Sequence, residues 1–326
     1  MMSGKHRHLP LRFKYFGKDL RIVAASEDYR HLIGSTLVSI NGVATPELFE
    51  NLKPYLVGVD NQFSQKVSFE FYLTLAKLLI GLDILAENEQ AELITKKENR
   101  LSTDKVVPVA MSDFGKIASP YIARLPAVEL DDIGMPGIKL GIINNNTAYF
   151  RFSRYPKIEQ VLEHCDALQA RLSSDKVEHF IIDFRGNGGG NFYSGLAFSS
   201  CLLPIDHFDW LMGGIVLTDS HTFSAAMSNA VQFKQVFNAR VIGEPTGGDP
   251  NAFSESYRFE LPNSKRKLSL SIRYYPFLAQ QTDALYPDIQ VSPSWQEYEK
   301  GIDVVLQKAL EVLGSADKLA KTGPIN

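Results

Sequence analysis

Between Thr147 and Gly243 the chain alternates β-type runs with helical stretches, and this rhythm constrains the fold more than any other feature. Thr147-Ala-Tyr-Phe-Arg-Phe reads as a strand. Lys157–Ser173 reads as a helix with Ile158, Val161, Leu162, Cys165, Leu168 and Leu172 on one face. His179-Phe-Ile-Ile-Asp-Phe is a strand of the buried type, and 191–203 a helix stopped by Pro204. Gly214-Ile-Val-Leu-Thr, the helix Ser224–Phe233 and Arg240-Val-Ile-Gly continue the series. Strands that alternate with helices need crossover connections, and crossovers make a parallel sheet, so the expected class is α/β.

A length of 326 residues exceeds one ordinary compact domain. Upstream, Leu11–Phe16, Leu20–Ala24 and Thr36–Ile40 read as short strands, the last ending in an Asn41-Gly42 turn. Pro46–Leu56 and Phe69–Leu85 read as helices, and 91–110 as strand again. Residues 112–137 carry Pro120, Pro126 and Pro136 and form the expected linker. The expected division is therefore a mixed α+β module over 1–125 and a second domain over 126–326. Beyond Gly243, alternating Tyr257, Phe259, Leu261 and Leu268, Leu270, Ile272, Tyr274 make a hairpin, and an amphipathic helix runs from Ile302 to Leu313.

Composition excludes several classes. Hydrophobic residues make up 44% and charged residues 22%, as in a globular protein. A net charge of −3 gives no reason to expect nucleic acid, and the Lys265-Arg266-Lys267 trio falls in a hairpin turn. Cys165 and Cys201 have no matching histidine pair, so no metal site is expected. Cys165 sits on an apolar helix face, which reads as a buried free thiol, not as part of a disulfide framework. No signal-peptide stretch follows the basic residues at the start, and the longest apolar tract, 73–86, is interrupted by Lys77 and Asp83. No membrane span and no address are expected.

Three turns at strand ends carry the chemistry, since ligands of α/β sheets bind beyond the carboxyl ends of strands. Asp183-Phe-Arg-Gly-Asn-Gly-Gly-Gly190 lets the backbone approach a ligand closely and line up N–H groups around an anion. A dinucleotide fingerprint fails, because its third glycine would fall on Asn191. An oxyanion hole fits better; a tight structural turn is the plainer alternative. Asp219-Ser-His-Thr-Phe-Ser-Ala-Ala226 holds Ser224 at a helix start, where dipole and free N–H groups stabilise developing negative charge. Serine is equally an ordinary N-cap, and the Gly-x-Ser-x-Gly elbow is absent. Gly243-Glu-Pro-Thr-Gly-Gly-Asp-Pro-Asn251 is the third turn.

Together these turns resemble the tail-specific (C-terminal processing) serine peptidases, whose relatives include the tricorn core and the retinoid-binding repeats of photoreceptor matrix. The resemblance is carried by 183–190, by Thr222-Phe-Ser-Ala-Ala226 and by Gly243-Glu-Pro-Thr-Gly-Gly248. Leu261-Pro-Asn-Ser264, Pro287-Asp-Ile and Gly301-Ile-Asp303 extend it over residues 140–312. Leu32–Gly42 resembles the PDZ-like segment that such enzymes place upstream. The resemblance implies a crotonase-like (ClpP/crotonase-type) ββα sheet core preceded by a small PDZ-like module. It also implies Ser224 as the acylated nucleophile, with oxyanion donors from Ala225 and from Gly189 or Gly190. The substrate would be a peptide or protein, attacked by acyl transfer without cofactor or metal. Family members are often secreted or periplasmic.

One departure bears on mechanism. The processing enzymes activate their serine with a lysine, and Asp249 stands at that position here. A tricorn-like scheme would supply a histidine from the N-terminus, where this chain has His6; His221, three residues before Ser224, is the other candidate base. Glu244 is a candidate for orienting a base or binding substrate. The second class of function is a catalytically silent peptide- or lipid-binding member of the same fold. An acyl-CoA enzyme of crotonase topology finds no CoA-binding feature in the sequence.

Overall fold

The computed structural model describes residues 7–87, 89–118 and 128–321. The chain forms two compact units, one made of Met1–Ala127 with Pro293–Val304, the other of Val128–Ser292 with Val305–Asn326.

The first unit is built on an antiparallel sheet. Leu11–Phe16, Asp19–Ala25, Thr36–Ile40, Ala91–Lys97 and Arg100–Val106 follow one another across it, and Val43–Ala44 doubles back on Thr36–Ile40. Asn41 and Gly42 both have positive φ, 47° and 81°, the conformation that Asn-Gly turns favour. Alternate residues such as Leu11, Phe13, Leu20, Ile22 and Leu93 point inward, and Leu48, Leu52 and Phe69 from the helices Thr45–Leu52 and Gln62–Tyr72 close the core.

The single helix expected over Phe69–Leu85 is two, Gln62–Tyr72 and Ala76–Gly81. At the break, the Thr74 carbonyl accepts from Leu9 N–H at 2.7 Å and its hydroxyl meets the His8 ring at 3.0 Å. Pairing with the incoming chain outweighs helical continuity, which local propensity supports only weakly. Pro293–Val304 belongs to this unit through Trp295, whose ring lies 5.4 Å from that of Phe16. The same indole covers Gly34, where a Cβ would come within 2.9 Å of it.

The second unit holds a seven-stranded sheet in the order Ile289–Gln290, Arg240–Gly243, Gly214–Thr218, His179–Asp183, Thr147–Phe152, Ile138–Ile143, Asp131–Asp132. The strands from Ile289–Gln290 to Thr147–Phe152 are parallel, and the last two are antiparallel additions. Helices Ile158–Ser174, Phe192–Leu202 and Ala225–Val236 supply the crossovers. Phe150 and Phe152 meet Phe198 of the second helix at 5.1 and 5.6 Å. Each such fully buried ring contributes about 2–3 kcal/mol of transfer free energy.

The reading of Cys165 as a free thiol is corrected: Cys165 and Cys201 form a disulfide between helices Ile158–Ser174 and Phe192–Leu202, with Cα atoms 5.4 Å apart. The two helices pack side by side, and that tertiary contact brings the thiols within bonding range. Phe253–Glu260 and Lys267–Tyr274 form a separate two-stranded sheet, exposed along its whole length. No helix among the described residues is long and apolar enough to cross a membrane.

Candidate active site

The three chemistry-bearing turns leave one edge of the parallel sheet side by side. Asp183 pairs in register with Leu217, and Thr218 with Gly243, so the chain that follows each strand end emerges next to its neighbour. This is the crevice side of an α/β sheet.

Ser224 sits at the N-cap of helix Ala225–Val236 with φ 50° and ψ −128°. Left-handed backbone at a serine costs on the order of 1–3 kcal/mol and persists only where surroundings enforce it. Here they do. Thr222 Oγ1 donates to the Phe184 carbonyl at 3.1 Å, Phe223 N–H to the Asn187 carbonyl at 3.1 Å, and Gly247 N–H to the Thr222 carbonyl at 3.1 Å. Both flanking turns thus hold the serine turn through hydrogen bonds. The Ser224 side chain makes no capping bond and is exposed. An ordinary N-cap serine would be bonded to the helix it starts.

The glycine turn closes on this serine. A Cβ at Gly189 (φ 101°) would lie 2.7 Å from Ser224 Cβ and 2.9 Å from Ala225 N. A Cβ at Gly248, in the third turn, would lie 3.2 Å from Ser224 N. Gly189 N–H donates to Asn187 Oδ1 at 2.9 Å, whereas the N–H groups of Gly190 and Ala225 have no acceptor among the described residues. Gly189 therefore enters as the residue that permits close approach, and Gly190 and Ala225 as free donors.

Asp219 ties the first two turns together, a role the sequence reading did not assign. Its Oδ1 accepts from Gly186 N–H at 2.9 Å and from His221 N–H at 3.0 Å, and Thr222 Oγ1 lies 3.3 Å away. The local signal was there: an aspartate at a strand end followed by Thr222 is an Asx-type turn opener.

Beneath the glycine turn, Asp183 is fully buried and bound on all sides. Arg185 reaches it with Nε at 2.9 Å and Nη2 at 2.7 Å, Tyr149 donates its hydroxyl at 2.5 Å, and Arg151 Nη1 lies 3.6 Å away. Burial alone would raise the carboxyl, but the guanidinium groups of Arg185 and Arg151 and the hydrogen bonds hold it at about 2. The same burial, with the neighbouring Asp183 charge, pushes the Tyr149 phenol well above its ordinary value.

Of the two candidate bases, His6 lies outside the described residues. His221 is placed on the serine turn with its backbone on Asp219, and no hydrogen bond reaches Ser224 Oγ among the described residues. Glu244 lies over the serine turn, accepting from Ser220 Oγ at 3.4 Å, while Thr218 Oγ1 donates to its carbonyl at 2.8 Å. Asp249 accepts from Asn251 N–H at 2.7 Å and so shapes the third turn. No cluster of metal-ligating side chains occurs among the described residues.

No protein-family model matches the sequence, and no curated protein matches it. Solved structures do. Mature CPAF in complex with lactacystin matches with a TM-score of 0.56 and 12% identity, over 97% of this chain and 83% of that one. A second structure of mature CPAF matches with a TM-score of 0.56 and 12% identity, over 91% of this chain and 80% of that one. The chain shares the CPAF fold. At this identity the likeness is one of fold, a mixed α/β architecture with several sheets. The photosystem II D1 C-terminal processing protease is a more distant match, with a TM-score of 0.41 and 15% identity over 90% and 74%.

Proposed function

We propose that the chain is a serine-type peptidase that cleaves peptide or protein substrates, C-terminal tails among them, through an acyl-enzyme on Ser224. The observation that carries this reading is the closure of Gly189 on a strained, exposed Ser224 whose side chain is committed to no cap. A fold shared with CPAF supports it at the level of architecture. In this reading Ser224 Oγ attacks the scissile carbonyl carbon and a base takes its proton. The carbonyl oxygen, now negative, sits between the N–H groups of Gly190 and Ala225 at the positive end of the helix. Collapse breaks the C–N bond, the amine leaves with the proton, and water releases the acyl group by the reverse sequence.

The parallel-sheet unit would be the crotonase-like catalytic domain and the antiparallel one a PDZ-like module that receives a peptide end by strand addition. The base is His221, after a rotation of the serine turn's side chains, or His6. In this reading Glu244 orients the base and Asp249 contacts substrate.

The silent-binder reading has its own supporting observation: no hydrogen bond reaches Ser224 Oγ among the described residues, and Asp249 replaces the family's lysine. Labelling with a fluorophosphonate, read by intact mass and peptide mapping beside Ser224→Ala, separates the two. One adduct on Ser224 is expected. Folded protein that takes no adduct would make the chain a binder.

A further inference from the structure

The exposed hairpin Phe253–Glu260 and Lys267–Tyr274 has two unlike faces. Its register sets Phe253 opposite Tyr274, Tyr257 opposite Leu270 and Phe259 opposite Leu268, with Ile272 between the first two pairs. The other face alternates serine with charge: Ser254 opposite Arg273, Ser256 opposite Ser271, Arg258 opposite Ser269, Glu260 opposite Lys267. Strict alternation would put Glu255 on the apolar side. Its φ of 57° breaks the alternation, and the carboxylate pairs instead with Arg273 of the polar side at 3.1 Å. The strained residue thus keeps charge off the apolar face.

That face is uncovered. Its seven apolar residues are 39–61% exposed, although a two-stranded hairpin is marginal in water unless something packs against it. Taking roughly 150–250 Å² for each aromatic ring and somewhat less for each aliphatic side chain, the exposed part sums to about 700 Å². Two such faces laid together bury about 1,400 Å², within the range of stable specific interfaces. No charge on the face selects a charged partner, and Glu255 is already neutralised within the hairpin. An uncharged apolar face of this size suits an isologous contact, in which the same patch is buried on both copies about a two-fold axis, and the Tyr257–Leu270 pair lies near its middle.

We infer that this hairpin face is a dimerisation surface occupied by the same hairpin of a second copy of the chain, with the Tyr257–Leu270 pair at the axis. Sedimentation equilibrium of the full chain tests it. Wild type should run at twice the single-chain mass of 36.4 kDa. Leu270→Glu should run at the single-chain mass with an unchanged circular dichroism spectrum, because Leu270 is exposed, while Ser269→Glu on the opposite face should remain dimeric. As a second measurement, Leu270→Cys introduces the one free thiol of the chain, both native cysteines being paired. A short bis-maleimide should couple it into dimers, and should not couple Ser269→Cys.

Wild type that stays single up to about 100 µM, far above the Kd of a specific dimer of this area, overturns the inference. So does a dimer that survives Leu270→Glu. Monomer that binds phosphatidylcholine vesicles and loses that binding in Leu270→Glu would give the face to a membrane and overturn it as well.

Discussion

Gly189 lies so close to Ser224 that a methyl group on the glycine would come 2.7 Å from the serine Cβ, well inside van der Waals contact. With φ at 101°, this glycine is also in a conformation that other residues rarely adopt. Gly189→Ala should therefore push the glycine turn off the serine. We expect fluorophosphonate labelling of Ser224 to slow by about 100-fold, the effect of misplacing reacting groups by about 1 Å, together with a stability loss of about 1–3 kcal/mol. Labelling rates and thermal unfolding of the same preparation check both.

Ser224 offers a contrast between nucleophile and cap. A capping serine loses about 1 kcal/mol on replacement by alanine. Ser224 makes no cap bond and carries a φ of 50°. Ser224→Ala should cost less than about 0.5 kcal/mol, and Ser224→Gly should stabilise by about 1 kcal/mol through relief of the left-handed backbone. Both should abolish labelling. Denaturant unfolding of the three proteins measures the difference.

Asp219→Ala removes the acceptor shared by Gly186 N–H and His221 N–H. Leaving those donors unpaired should cost about 1–3 kcal/mol and slow labelling by about 10-fold. Asp219→Asn, which keeps an oxygen in place, should restore most of the rate. A failure of the amide to rescue would show that charge matters there, beyond geometry.

Asp183 sets an acid limit on stability. Its carboxyl is held at about 2 against an ordinary 3.8, so its contribution is full above about 4 and is lost as pH falls through 2. The shift corresponds to about 2 kcal/mol. Asp183→Asn should be destabilised by about 3–5 kcal/mol at neutral pH, because Arg151 and Arg185 lose their partner in a buried setting. It should also lose the pH dependence that wild type shows between 4 and 2. Thermal unfolding from pH 6 to pH 2 reads both effects.

Reducing the Cys165–Cys201 bond frees a loop of 36 residues. Chain entropy assigns such a loop about 4 kcal/mol, and a loss of 2–4 kcal/mol is the expected range. Unfolding with and without dithiothreitol, beside the Cys165→Ser/Cys201→Ser double variant, measures it. Reductant should leave the variant unchanged.

The α/β core was legible because its signal is local: apolar runs such as 179–184 and 214–218 and glycine-rich stops each announce themselves over a few residues. The convergence of Ser224, Gly189 and Gly248 followed from those parallel strands, since adjacent strand ends bring their turns together. What escaped reading depends on which faces meet. Cys165 and Cys201 sit on separate helices, and no periodicity says that those helices are neighbours. The break at residues 73–75 answers to Leu9 and His8, more than sixty residues earlier in the chain. Asp219 looked like one turn former among many until its two N–H partners came from different turns.

The return of Trp295 to the first unit has a consequence for how this chain is made. During synthesis the segment that covers Gly34 and packs on Phe16 leaves the ribosome only after Val128–Ser292 has been completed. The first unit to emerge is thus completed only late: its antiparallel sheet waits, with Gly34 uncovered, while the strands that carry Ser224 are made in the interval. A nascent chain stalled before residue 293 would carry the serine turn while Gly34 of the first unit is still without its indole cover.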